Sequence, residues 1–148
     1  MHIRITSHRD PEPLDLSAFK RLAEFVLESE EVPEHTELSL AILDIEEMTA
    51  LNAKYRGAEG ATDVLSFGCD DPCPVEGSEP ITLGDVIIAP EVAEEHAAEY
   101  DHTVEQELNL LLVHGILHLL GYSHEGDEEA AVMQERESSL LEAYAEET

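Results

Sequence analysis

The chain has 148 residues, 43% of them hydrophobic, and 35 acidic against 7 basic residues give it a net charge of −28. That length fits a single domain, 1–148, around one core, and the hydrophobic share excludes a disordered chain. The charge opposes nucleic acid and anionic membranes unless a local cluster reverses it.

The first residues, "MHIRITSHRD", lack the apolar run of a signal peptide and predict a cytoplasmic protein. Within them, residues 2–7 alternate Ile3 and Ile5 with polar positions, the period of a strand. In "DLSAFKRLAEFVLESEE" (15–31), Leu16, Phe19, Leu22, Ala23, Val26 and Leu27 recur at helical spacing behind a cap at Asp15 or Ser17. "TELSLAILD" (36–44) alternates again and predicts a second strand. Strand, helix and strand in this order predict a parallel crossover, with the right-handed form the rule.

"DIEEMTALNAKYRG" (44–57) predicts a helix capped by Asp44, with Glu47 placed for a capping box and Gly57 as its stop. Its buried stripe is Met48, Leu51 and Tyr55. Strands follow at 62–67, "TDVLSF", and 82–89, "TLGDVIIA". The segment between them, rich in Pro, Gly and acid, is a long loop. It holds both cysteines, Cys69 and Cys73, too few for a disulfide framework and read as ordinary loop thiols.

Pro90 opens a short helix to Tyr100, and Thr103 with Gln106 forms a capping box for "VEQELNLLLVHGILHLL" (104–120). That apolar run is interrupted by Asn109 and two histidines and is short for a membrane span. Gly121 is a natural residue to end it. A last helix starts near Asp127 with an acidic first turn, suited to the positive end of its dipole, and docks through Met133, Leu140, Leu141 and Tyr144. The fold class is α+β: one four-stranded mixed sheet packed with about five helices.

"HGILHLLGYSH" (114–124) carries the chemistry. His114 and His118 stand four apart on a helix, so their imidazoles leave one face a turn apart. Gly121 permits a sharp turn that returns His124 as a third ligand. Three histidines with an open fourth position are a catalytic zinc arrangement, at the end of the central helix. The remaining histidines, His2, His8, His35, His96 and His102, lack such spacing and read as surface or structural. The pattern matches the extended zinc-protease motif except that Gly115 stands where the protease has its catalytic glutamate. Without that base, peptide hydrolysis is disfavoured.

Three blocks together resemble the YbeY family of bacterial rRNA-maturation endoribonucleases. "HGILHLLGYSH" is similar to its zinc motif, with Ser123 in place of the family's usual Asp. "LNAKYRGAEGATDVLSF" and "LGDVII" match its other elements in order and spacing. The resemblance implies a single-strand-specific, zinc-dependent endoribonuclease that matures the 3′ end of small-subunit rRNA and works with the ribosome or its proteins. It implies one zinc held by His114, His118 and His124, with Arg56 and His114 as the catalytic pair. Arg56 would fork onto two phosphate oxygens, as a guanidinium can and an ammonium cannot. Asp63 and Asp85, inside matched blocks, are candidates either to accept a hydrogen bond from a ligand histidine or to cap turns. Ser66 and Phe67 are candidates for the cleft wall, although a strand Phe is more often a core residue. Lys54, Lys20 and Arg21 could join Arg56 in a positive funnel through the acidic field. The rival readings are a zinc metallopeptidase drawing a base from elsewhere, such as Glu125, and a non-catalytic ribosome-assembly factor with structural zinc.

Overall fold

The structure, a computed structural model, describes residues 2–7, 15–56, 64–68, 81–99, 103–122 and 126–147, with the side chains of 55, 56, 81 and 147 outside that description. Strand β1 (His2–Ser7) leads to helix α1 (Leu16–Ser29), then β2 (Thr36–Ile42) and α2 (Ile45–Arg56). Strands β3 (Val64–Gly68) and β4 (Ile81–Ile88) follow, and α3 (Pro90–Glu99), α4 (Val104–Leu119) and α5 (Asp127–Glu147) complete the order. The four strands and five helices of the described residues match the elements read from the sequence.

The sheet order is β1-β2-β4-β3. Strand β1 pairs β2 in parallel, with Ile3 opposite Leu38, as a strand–helix–strand crossover requires. Strand β4 is also parallel to β2, with a register shift between Glu37 and Leu38. Strand β3 runs antiparallel to β4 and makes the sheet mixed.

Pleating divides the side chains between two faces. Leu38, Leu40, Ile42, Val86 and Ile88 join the larger core cluster, with Leu22, Val26 and Leu27 of α1 and Leu108, Leu112 and Ile116 of α4. Leu65, Phe67 and Ile87 pack with Met48 and Leu51 of α2 in a second cluster. Helix α2 therefore covers the opposite face from α1 and α4. Helix α4 touches α1, α3, α5, β3 and β4. Beyond its polar first turn the helix is mostly apolar and buried, which suits that central place.

Local chemistry sets the boundaries. The Asp15 carboxylate accepts from the Ala18 amide at 3.1 Å and opens α1. The Asp44 carboxylate accepts from the Glu47 amide at 2.8 Å, so β2 ends at Ile42 rather than running on to Asp44. Thr103 and Gln106 exchange both capping-box bonds at the start of α4. Helix α1 stops at Ser29, short of the expected Glu31. The Glu31 amide donates to the Glu28 carbonyl and the Val32 amide to the Leu27 carbonyl, a Schellman ending with Glu31 at φ 56°. A glutamate in the left-handed region is unusual, and nothing in composition announces it.

The expected loop between β3 and β4, with Cys69 and Cys73, lies outside the described residues, as do Gly57, His8 and His102. His2 is exposed on β1, and His35 and His96 are half-buried.

Candidate metal centre

Helix α4 separates the glycine of the motif from its two histidines. Position 115 faces the sheet: a Cβ added there would lie 2.7 Å from Val86 Cγ1 and 3.2 Å from Ser66 Oγ. The Ser66 hydroxyl donates to the Gly115 carbonyl at 3.1 Å. Gly115 thus brings helix and sheet into close contact, and no side chain fits at the site where a protease places its base. Ser66, a candidate for the cleft wall, instead buttresses α4, while Phe67 packs in the second core cluster.

His114 faces α5. Its Nδ1 lies 2.6 Å from Glu137 Oε1, with the histidine side chain 30% exposed and the glutamate 9%. His118, one turn later, is exposed. Both imidazoles sit in the last two turns of α4, as the spacing requires.

The helix then closes in a Schellman motif. Gly121, at φ 104°, donates to the His118 carbonyl and Tyr122 to the Leu117 carbonyl. The chain therefore turns back directly after the second histidine. Ser123, His124 and Glu125 lie outside the described residues. Among the described residues no group of three or more metal-binding side chains is assembled. The donors present nevertheless suit a divalent ion. With His114 Nδ1 against the Glu137 carboxylate, Nε2 would be the nitrogen to hold such an ion, as in the usual pairing of a metal-binding histidine with an acidic partner.

Tyr122 is held from two further elements. Its hydroxyl donates to Glu30 at 3.2 Å, and Arg136 Nε donates to the same carboxylate at 2.6 Å. Arg136 also reaches the Ser29 carbonyl at the end of α1, at 3.4 Å. Burial, then the charge of Glu30 and the hydrogen bond to it, hold the Tyr122 hydroxyl above its usual range. The bond to Glu30 does most to raise the Arg136 guanidinium. A protonated phenol and a charged guanidinium therefore face one carboxylate at neutral pH.

The carboxylate on His114 is Glu137, not Asp85. Asp85 stands opposite Phe67 in the β3–β4 ladder, so alternation places it with Ile87 on the α2 face. It is on the wrong side of the sheet to orient a histidine of α4. Asp63, the other candidate, lies outside the described residues. Glu137 lies outside the histidine motif and was not singled out from the sequence. The signal was its spacing: Met133, Glu137 and Leu140 share one face, and all three are buried.

Arg56 is the last residue of α2, with its side chain outside the described residues. Lys54 is exposed in the last turn of α2, and Lys20 and Arg21 are exposed on α1.

The model of the endoribonuclease YbeY family matches residues 5–145. The endoribonuclease YbeY of Pelotomaculum thermopropionicum is 43% identical over 122 residues, covering 82% of this chain and 80% of that protein. Its counterpart from Legionella pneumophila strain Corby is 41% identical over 129 residues, covering 87% and 80%. The solution structure of TM1509 from Thermotoga maritima superposes with a TM-score of 0.67 at 30% identity, covering 95% of this chain and 87% of that one. The fold, the histidine helix and these matches agree: the chain belongs to the endoribonuclease YbeY family.

Proposed function

We propose that this protein is a zinc-dependent endoribonuclease specific for single-stranded RNA, with His114, His118 and His124 as metal ligands and residues 1–148 as one catalytic unit. Membership of an endoribonuclease family supports RNA phosphodiesters as the substrate class. The observation that carries the choice of chemistry is the packing of Gly115 against Val86 and Ser66. It leaves no room at position 115 for the base that the protease motif carries there, whereas a phosphodiester has less need of one. Bound zinc would supply Lewis-acid charge to phosphoryl oxygens and make water acidic enough to ionise near neutral pH.

The chain's own groups have separate tasks. His114 and His118 present their rings from one end of α4, and Glu137 holds the first of them. Arg56 would bind the scissile phosphate through its paired donors, matching charge with geometry. Ser123, where the family has an aspartate, offers a hydroxyl and no carboxylate for proton transfer.

The acidic surface demands help in gathering RNA. Small-subunit rRNA, near its 3′ end, is the proposed substrate, with the ribosome or its proteins supplying contacts the free chain lacks. The cytoplasm is the proposed compartment, and no described helix is long and apolar enough to cross a membrane. A fluorogenic single-stranded RNA and casein, offered separately, test the reading. RNA should be cut and casein left intact, with His118→Ala inactive on RNA. Metal-dependent cleavage of casein alone would establish a peptidase. Tight zinc binding with neither activity would establish a non-catalytic factor.

A further inference from the structure

We infer that Glu137 is a positioning residue: it fixes His114 in the Nδ1–H tautomer and holds the ring so that Nε2 faces the metal. The inference rests on the reading of His114 as a ligand, and it assigns to α5 a part in building the site.

A carboxylate is costly to bury without a partner. Glu137 is buried on the α5 face between Met133 and Leu140, where an apolar side chain would pack without that cost. Its bond to His114 Nδ1, at 2.6 Å, is in the short range of charge-assisted contacts. An acceptor only, the carboxylate requires the hydrogen to lie on Nδ1, which leaves Nε2 as the basic nitrogen. Neutral imidazole otherwise favours hydrogen on Nε2, the tautomer that would turn a proton toward the metal.

Helix α5 is well fixed for this role. The residue before Glu137 is Arg136, whose guanidinium ties α5 to Glu30 and to the last carbonyl of α1. Met133 and Leu140 anchor the same helix in the core on either side. The carboxylate's position is thus set by contacts on both flanks, independently of any ion.

The tautomer can be read without metal. In the zinc-free full-length protein, at a pH where the imidazole is neutral, nitrogen-15 NMR should show His114 with its hydrogen on Nδ1. Glu137→Leu should shift it toward Nε2–H and weaken zinc binding, measured by chelator competition, by roughly 10–100-fold. Glu137→Gln, which keeps an acceptor and loses the charge, should retain the tautomer and fall between leucine and wild type in zinc affinity. Leu140→Ala, on the same face, should lower the melting temperature and leave both readouts in place. An unchanged tautomer in Glu137→Leu would overturn the inference, as would unchanged zinc affinity there or a loss in Leu140→Ala as large. If His118→Ala binds zinc as tightly as wild type, the three-histidine reading falls and this role with it. The tautomer measurement distinguishes that outcome from a failure of Glu137 alone.

Discussion

Restoring the protease glutamate at position 115 should damage the protein and give no peptidase. Consider Gly115→Ala first. The added methyl would sit 2.7 Å from Val86 Cγ1 and 3.3 Å from Val86 Cγ2. Val86 is fully buried and β-branched, so it has little freedom to move aside. Overpacking of this kind costs about 1–3 kcal/mol. Replacing glycine within a helix returns about 1 kcal/mol. The stiffness of Val86 favours the upper part of the range, leaving a net loss of about 1–2 kcal/mol. For a domain of this size that lowers the melting temperature by roughly 2–8 °C. Gly115→Glu adds an unpaired buried carboxylate, which costs several kcal/mol more and approaches the whole stability of a small domain. Thermal unfolding of Gly115→Ala, Val86→Ala and the double variant forms a cycle. The double variant should be more stable than the sum of the single effects implies, because the new methyl occupies space the valine has vacated. A rise in melting temperature for Gly115→Ala alone would show that helix propensity decides and that the packing argument is wrong.

Three further outcomes follow from particular residues. Arg56→Lys keeps the charge but loses the paired fork, and should cost about 3–5 kcal/mol of transition-state stabilisation in RNA cleavage kinetics; near wild-type cleavage would exclude a phosphate clamp. Glu31→Gly should raise stability by about 0.5–1 kcal/mol in denaturant titrations, relief of the left-handed strain exceeding the entropy glycine adds to the unfolded chain; a lower midpoint would show that the side chain contributes in some other way. The Tyr122 pKa is raised, so the stability linked to its protonated form is complete below its unfolded value near 10 and is lost as pH climbs through the higher folded value. Tyr122→Phe should flatten that alkaline loss, and an identical profile would rule it out.

The sequence was most legible where one residue controls one local event. Asp15, Asp44, Thr103 with Gln106, and Gly121 each mark a helix end through a bond the structure contains. The strands were legible through their period of two, and the same period could have placed Asp85. In "LGDVII" it shares a face with Ile87, and only the position of α2 shows that this face is the wrong one for the histidines. Glu31 was opaque because glycine is the usual sign of a left-handed stop, and here the surrounding bonds impose it on another residue. Glu137 was opaque because its meaning depends on α5 docking against α4, a contact spanning 23 residues. That His114 and His118 share the last two turns of one helix was legible from spacing alone.

The central claim is that metal held by His114, His118 and His124 drives cleavage of RNA. Its most direct test is the initial rate of single-stranded RNA cleavage by zinc-stripped protein as zinc is added back in measured equivalents. The rate should start near zero, rise linearly and reach its plateau at about one zinc per chain for a single catalytic site, while His118→Ala should stay inactive throughout. Full cleavage by the stripped protein, or a His118→Ala variant that follows the same curve, would contradict the account.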